Sequence, residues 1–253
     1  MISGLAESFK AFGENEHLKL AEAIFNFIQS KAYKNGKLIH SYKKGGREVS
    51  GFLDDYAYLM HASIDLFTIT HDKKYLEFSE ELLDIVEENF RSPNSPLFRY
   101  SENEELISSI LKVNDGVMPS PNSVMAENLF LMGHIYYNDE WLNKAEEMIV
   151  AVQPAIQENP AAFAKWDHLY LKKSFNFLEI AVVGRKADQL SAELWKNYYP
   201  NSLIAASLRE SAIPLFEERY TDNETYIYVC ENRSCKRPVT SASEAKNLIN
   251  EIR

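Results

Sequence analysis

Two short stretches carry the residues best suited to chemistry. The first is Gly51-Phe52-Leu53-Asp54-Asp55-Tyr56-Ala57. Neighbouring carboxylates do not ionise with equal ease, so their pKa values separate and one can serve as a general acid or base. Consecutive helical residues point about 100° apart, so only one of the pair faces a given pocket. Asp55 is the expected catalytic member, with the ring and hydroxyl of Tyr56 beside it. Asp54 is expected to contact substrate, although a first-turn carboxylate also suits the helix dipole. The second stretch is Asn114-Asp115-Gly116-Val117-Met118-Pro119-Ser120-Pro121-Asn122-Ser123. Asp115 is the expected catalytic partner, and Asn122 and Ser123 are groups of the kind that orient sugar hydroxyls. Asp115-Gly116 also reads as a turn, and Ser120 to Ser123 as an N-cap cluster. Glu127, one turn further on, and His61, two turns beyond Asp54, complete the expected substrate-binding set. Glu127 reads also, and somewhat better, as a solvated surface charge.

These residues need elements to position them, and a recurring segment indicates which. Glu16-His17-Leu18-Lys19-Leu20-Ala21-Glu22, Lys74-Tyr75-Leu76-Glu77-Phe78-Ser79-Glu80 and Glu140-Trp141-Leu142-Asn143-Lys144-Ala145-Glu146 each follow a long apolar run. In each, a ring is followed by Leu and, four places after the ring, by a small residue. That spacing puts ring and small residue on one helix face, where the small residue lets a neighbour approach closely. Two helical runs per repeat imply stacked helical hairpins. The expected pairs run from 2–12 to 15–31, from 53–70 to 74–90, and from 123–137 to 140–156. A fourth inner helix is expected at 161–178 with Pro160 in its first turn. The segment Lys37 to Tyr42 reads as a short strand or an extended hairpin arm. The first helix starts without a capping residue, which reads as a cut through a hairpin. The long connection at 91–122, rich in Ser, Asn and Pro, is of a length often tied to function.

After Leu178 the pattern changes to strand (180–184), helix (186–198), strand (Ser202 to Leu208), strand (Thr225 to Cys230) and closing helix (243–252). This predicts a small parallel βαβ element. The expected organisation is therefore a mainly α region at 1–178, a partial α/α toroid, and a small α/β subdomain at 179–253. Gly184 reads as a strand-end turn rather than a phosphate cradle. If the inner helices gather their N-termini at one end, free N–H groups and dipole ends there favour polar ligands.

Composition narrows the classes. Among 253 residues the net charge is −10, with 45% hydrophobic and 12% aromatic residues. No basic patch suits nucleic acid, and no apolar run approaches the ~20 residues of a membrane span. A cytoplasmic location is expected. No histidine or cysteine pair has metal-ligand spacing, so neither a metal nor another cofactor is expected. His17 is expected to pack, and His134 and His168 to be partly buried polar residues. Cys230 and Cys235 are expected as reduced thiols, with a small disulfide loop or half of an intermolecular metal site as the alternatives.

Three stretches together resemble a known family: Gly51 to Ala57, Pro119-Ser120-Pro121-Asn122-Ser123, and Tyr228-Val229-Cys230 through Pro238-Val239-Thr240. It is the thioredoxin-domain-containing, spermatogenesis-associated protein 20-like family. The resemblance covers essentially the whole chain and implies the C-terminal half of such a protein, without its thioredoxin-like domain. It implies an (α/α)6 toroid similar to N-acylglucosamine 2-epimerases and six-hairpin glycosidases, and a carbohydrate-type pocket. Asp54, Asp55, Asp115, Asn122 and Ser123 are the positions that match. Pro121 stands where the family commonly has Gly. Two functions follow as expectations. One is a carbohydrate-binding or carbohydrate-active toroid fragment. The other is a non-catalytic scaffold that works as a homo-oligomer or with a thioredoxin-like partner. Nucleotide binding at the βαβ element is a third and weaker expectation.

Overall fold

A computed structural model describes residues 1–102 and 110–252. Part of the long connection, residues 103–109, therefore lies outside the described residues. The helices are α1 (Ile2–Phe12), α2 (Asn15–Lys31), α3 (Leu53–Thr70), α4 (Lys74–Asn89), α5 (Pro121–Ile135), α6 (Asp139–Glu158), α7 (Ala164–Ser174), α8 (Ala187–Trp195) and α9 (Ala242–Ile252). Helices α1/α2, α3/α4 and α5/α6 pack as hairpins, and α1, α3, α5 and α7 lie side by side as an inner row. The chain is thus a mainly α, partial α/α toroid with a small α/β element. The fourth inner helix is shorter than the sequence pattern predicts, because Pro160 opens a separate 3₁₀ turn, Pro160–Ala162. No helix among the described residues is long and apolar enough to cross a membrane.

The recurring segment explains the stacking. Its small residues Ala21, Ser79 and Ala145 are all fully buried. The Ser79 hydroxyl donates to its own helix at Tyr75 O, 2.9 Å away, and lies 3.5 Å from Met60 O on α3. In the third hairpin the close approach is reinforced from the other side. A Cβ on Gly133 would lie 2.7 Å from the Leu142 side chain. The last residue of each segment reaches the next unit. Glu22 accepts from the Tyr75 hydroxyl at 3.1 Å, Glu80 from the Tyr136 hydroxyl at 2.8 Å, and Glu146 pairs with Lys173 at 2.8 Å. His17 packs as expected, half-buried against the Ser8 hydroxyl at 3.0 Å.

Strands β1 (Tyr33–Lys34) and β2 (Lys37–Leu38) form a hairpin over Asn35-Gly36, so the extended arm is shorter than the sequence suggested. The second sheet contains β3 (Leu178–Val183), β4 (Ser202–Ser207), β5 (Tyr226–Glu231) and β6 (Ser234–Cys235), in the order β4-β3-β5-β6. β3 and β4 are parallel and joined through α8, which gives the expected βαβ unit. One face of the sheet, with Ala181, Val183, Leu203 and Ala205, belongs to the helical core. The other, with Ile180, Val182, Ile227 and Val229, packs with α8 and α9.

Cys230 and Cys235 are bonded as a disulfide, which corrects the expectation of reduced thiols. The cause is register. The two-residue turn Asn232-Arg233, with φ of 48° and 66°, sets Cys230 directly opposite Cys235. Spacing alone did not show that turn.

Gly184 sits at φ 135°, and a Cβ there would lie 2.6 Å from Thr225 Oγ1 and 2.8 Å from Glu224 O. The segment leading into β5 fills the space that a phosphate would need, and Thr225 Oγ1 takes the Lys186 N–H at 3.0 Å. The glycine is a close-approach residue, and the βαβ turn offers no anion cradle. Gly184→Ala should destabilise the fold by about 3 kcal/mol, through backbone strain and overpacking together. Urea unfolding would read the loss as a lowered midpoint with an unchanged slope.

Candidate functional site

The inner row frames two adjoining clefts. One, of about 790 Å³, is lined by Glu7, His61, Asp65, Glu127, His168 and Lys172 among others, and is closed on one side by Trp195 to Pro200. The other, of about 930 Å³, is lined by the first residues of α1 and α3 and by Met118 and Pro119 just before α5. The inner helix starts therefore do gather at one end. His61 and Lys165 line both clefts.

Glu127 is the electrostatic centre. It is only 2% exposed, which an ionised carboxylate tolerates only when paired. Lys172 donates to Oε1 at 2.8 Å, Lys165 pairs with Oε2, and His168 Nδ1 lies 3.6 Å from Oε1. Burial alone would raise the carboxyl, but Lys172, His61 and Lys165 outweigh it and hold it well below the usual carboxylate range. Lys165, His168 and Lys172 fall at i, i+3 and i+7 on one face of α7, while Trp166 and Leu169 on the adjoining flank are fully buried. His168, expected only as a partly buried residue, faces the cleft. Burial, helped by Lys172, lowers its pKa. His61 Nδ1 lies 2.8 Å from Asn128 Oδ1, and Asn128 Nδ2 donates to Ala57 O at 2.9 Å. A fully buried amide thus fixes the ring, with Nε2 3.9 Å from Asp65.

The helix-start motifs divide. Asp54 and Asp55 both line the second cleft. Asp54 accepts from the Tyr100 hydroxyl at 3.1 Å and lies 3.6 Å from Lys112. Asp55 Oδ2 accepts from Phe52 N at 2.8 Å and meets His40 Nδ1 at 2.9 Å. Burial nevertheless raises the Asp55 carboxyl above its ordinary value, against these two partners. Tyr58 also lines this cleft. Its hydroxyl donates to Pro119 O at 2.6 Å, and burial, with Asp54 and Asp115 nearby, pushes it up to about 12.

The other expected contacts are placed in the framework. Tyr56 is fully buried, with its hydroxyl accepting from Leu38 N at 3.0 Å, so it offers no ring or hydroxyl to a cleft. Asn122 is fully buried. It accepts from Phe98 N at 2.8 Å and donates to Phe98 O and Lys112 O, which straps the long connection to α5. The Ser120 hydroxyl caps α5 by accepting from Ser123 N, and Ser123 is buried beside it. Asp115 accepts from Ser120 N at 2.6 Å, the Ser123 hydroxyl at 3.0 Å and Lys165 N at 2.8 Å. Its carboxylate is consumed in joining the start of α5 to α7. Asp55 and Asp115 are each bonded to other partners, and Asp115 is not among the residues that line either cleft. The residues that the sequence reading missed are Lys165, Lys172, Asn128, Tyr58 and the Trp195-Lys196-Asn197-Tyr198-Tyr199-Pro200 loop. Its cluster of rings was the available signal for the last. Among the described residues no group of His, Cys, Asp and Glu could hold a metal ion.

No protein-family model matches the chain. It is 24% identical to an uncharacterised protein of Caenorhabditis elegans, over 99% of this chain and 37% of that protein. It is 24% identical to human spermatogenesis-associated protein 20, over 98% of this chain and 35% of that protein. The mouse protein of the same name is 23% identical over 99% and 35%. The chain is thus similar in sequence to spermatogenesis-associated protein 20 over nearly its whole length. It spans about a third of the length of these relatives. Among solved structures, it is similar to the GH76 α-mannanase of Bacteroides thetaiotaomicron. The TM-score is 0.51 and the identity 16%, over 61% of this chain and 42% of that one. That likeness is one of fold alone, an arc of stacked helical hairpins.

Glu127→Gln should cost roughly 3 kcal/mol at neutral pH, since it strands two ammonium groups on a buried amide. Because the folded carboxyl is depressed, its contribution is complete above the ordinary value of 4.5 and fades as pH falls below it. Urea midpoints of wild type and variant should therefore converge below that value and stay apart above it.

Proposed function

We propose that the inner face of the arc binds a carbohydrate. The observation that carries this reading is the pair of adjoining clefts. Carboxylates, ammonium groups and imidazoles line them together with the rings of Trp195, Tyr198 and Tyr199, and such mixed walls suit hydroxyl-rich ligands. The toroid fold shared with an α-mannanase supports it. In this reading Asp54, His61 and Glu127 contact the ligand, and Asp55, whose carboxyl is raised, is the proton donor if turnover follows binding. Asp115, Tyr56, Asn122 and Ser123 keep the helix starts in place.

Purified chain should show a concentration-dependent rise in melting temperature with mannose, N-acetylglucosamine or α-mannan oligosaccharides, because a ligand of the native state stabilises it by mass action. Tyr198, 84% exposed, can be replaced without disturbing the core. Tyr198→Ala and Asp55→Asn should each weaken the shift by about tenfold in apparent affinity, the scale of one lost polar or stacking contact. A flat response to every sugar from folded wild type would sink the reading.

A second reading, a scaffold completed by a partner chain, is favoured by apolar side chains at both edges of the arc. Phe12 (72%) and Phe27 (50%) are exposed on the first hairpin, Leu171 (52%) on α7 and Phe175 (66%) just after it. Patches of this kind seek cover. Light scattering should then report a dimer that Phe175→Glu converts to monomer. A monomer at every concentration would argue against self-association.

A further inference from the structure

A second constellation with chemistry lies away from the clefts, on the β5–β6 hairpin. Cys230 is fully buried on β5, whereas its disulfide partner Cys235 is exposed on the edge strand β6. Arg219 reaches both sulfurs, with Nη1 3.6 Å from Cys230 Sγ and Nη2 3.4 Å from Cys235 Sγ. Its guanidinium is held there. Nη2 also donates to the Tyr137 hydroxyl at 3.0 Å, and the group lies 5.0 Å from the centre of the Tyr228 ring. The Tyr228 hydroxyl donates to the Arg219 carbonyl at 3.2 Å.

The turn between the cysteines is held as well. Buried Glu179 accepts from Arg233 N at 3.2 Å and meets His134 Nδ1 at 2.6 Å, and the Arg233 guanidinium pairs with Asp139. These charges are thereby occupied with one another. Glu231 and Lys236, next to the cysteines, project to the opposite face of the hairpin by strand alternation. Arg219 is the cation in contact with the sulfurs.

A disulfide is neutral, so a fixed guanidinium on both sulfurs matters most when one of them becomes a thiolate. A buried thiolate is otherwise a poor leaving group, because burial disfavours its charge. We infer that Cys230–Cys235 is a thiol–disulfide exchange site for a dithiol reductant, with Arg219 stabilising the thiolates that form. A thiolate of the reductant attacks the exposed Cys235 Sγ. The S–S bond breaks, a mixed disulfide forms on Cys235, and the electron pair leaves on Cys230 Sγ beside Arg219 Nη1. The reductant's second thiolate then attacks its own sulfur in the mixed disulfide, and Cys235 leaves as a thiolate beside Nη2. The reductant departs as its disulfide. The protein gains two electrons, and the two protons of the dithiol pass to solvent or to the new thiols.

The test uses the full oxidised chain with dithiothreitol as the dithiol. Native protein is reduced at neutral pH, quenched by alkylation and read by intact mass, for wild type, Arg219→Lys and Arg219→Gln. Cys235 alkylation by iodoacetamide is then followed across pH on the reduced proteins. Wild type should be reduced while still folded, and half-alkylation should fall at least about one unit below the ~8.5 of a free thiol. Arg219→Gln should slow reduction about tenfold and move the half-alkylation point upward, and Arg219→Lys should restore most of both. Reduction only in denaturant, or a wild-type alkylation profile at the free-thiol position, overturns the inference. Both of these are wild-type readings and stand even if the Gln variant does not fold.

Discussion

An ionised carboxylate cannot be buried alone, and much of this molecule is arranged around one that is buried. Glu127 projects from α5, whose fifteen residues are all buried. Its charge draws in Lys165 and Lys172, which fixes the rotation of α7 and turns that helix's cationic face toward the inner row. The same rotation sends Trp166 into the core, where its indole N–H donates to Val113 O at 2.9 Å. The Glu127 pairs, the Asp115 bond to Lys165 N and the Trp166 anchor together hold α7 in this position and rotation. The network is costly in isolation, since desolvating three charges is repaid only by good mutual geometry.

The architecture was legible because it repeats. A ring followed four places later by a small residue reads the same way in any register, and in all three copies the small side chain is fully buried at a helix contact. The final glutamate of each copy was within view, yet its role was not. A helix-surface carboxylate has no visible partner until the next hairpin is placed beside it. The disulfide eluded the reading for a related reason. Cys230 and Cys235 face one another only because Asn232 and Arg233 both adopt left-handed backbone, which non-glycine residues rarely do in succession.

The site was legible in part, and the division has a physical basis. Asp54, Asp55, His61 and Glu127 lie on inner-helix faces that periodicity identifies, and all four line a cleft. Asn122 and Ser123 open α5 and Asp115 lies in the connection leading to it, a region where capping and ligand binding call for the same side chains. In each of these the backbone claims the polar atoms first. Lys165 and Lys172 were passed over because a lysine on a helix face usually has water for a partner. A buried acid one helix away changes that, and its burial shows only in three dimensions.

Asp115 precedes Gly116, a dipeptide that in flexible loops is prone to ageing. The following backbone nitrogen attacks the side-chain carboxyl carbon, water is expelled as a five-membered imide closes, and hydrolysis reopens the ring in part with the chain routed through the β-carboxyl. Here both reactants are engaged. The Asp115 oxygens take three donors, and the Gly116 N–H donates to Met118 O at 2.9 Å. The bonds that tie α5 to α7 therefore also hold this peptide link away from the geometry of its own rearrangement. Where those bonds loosen, chemical lifetime at this one linkage would shorten along with the fit of the two helices.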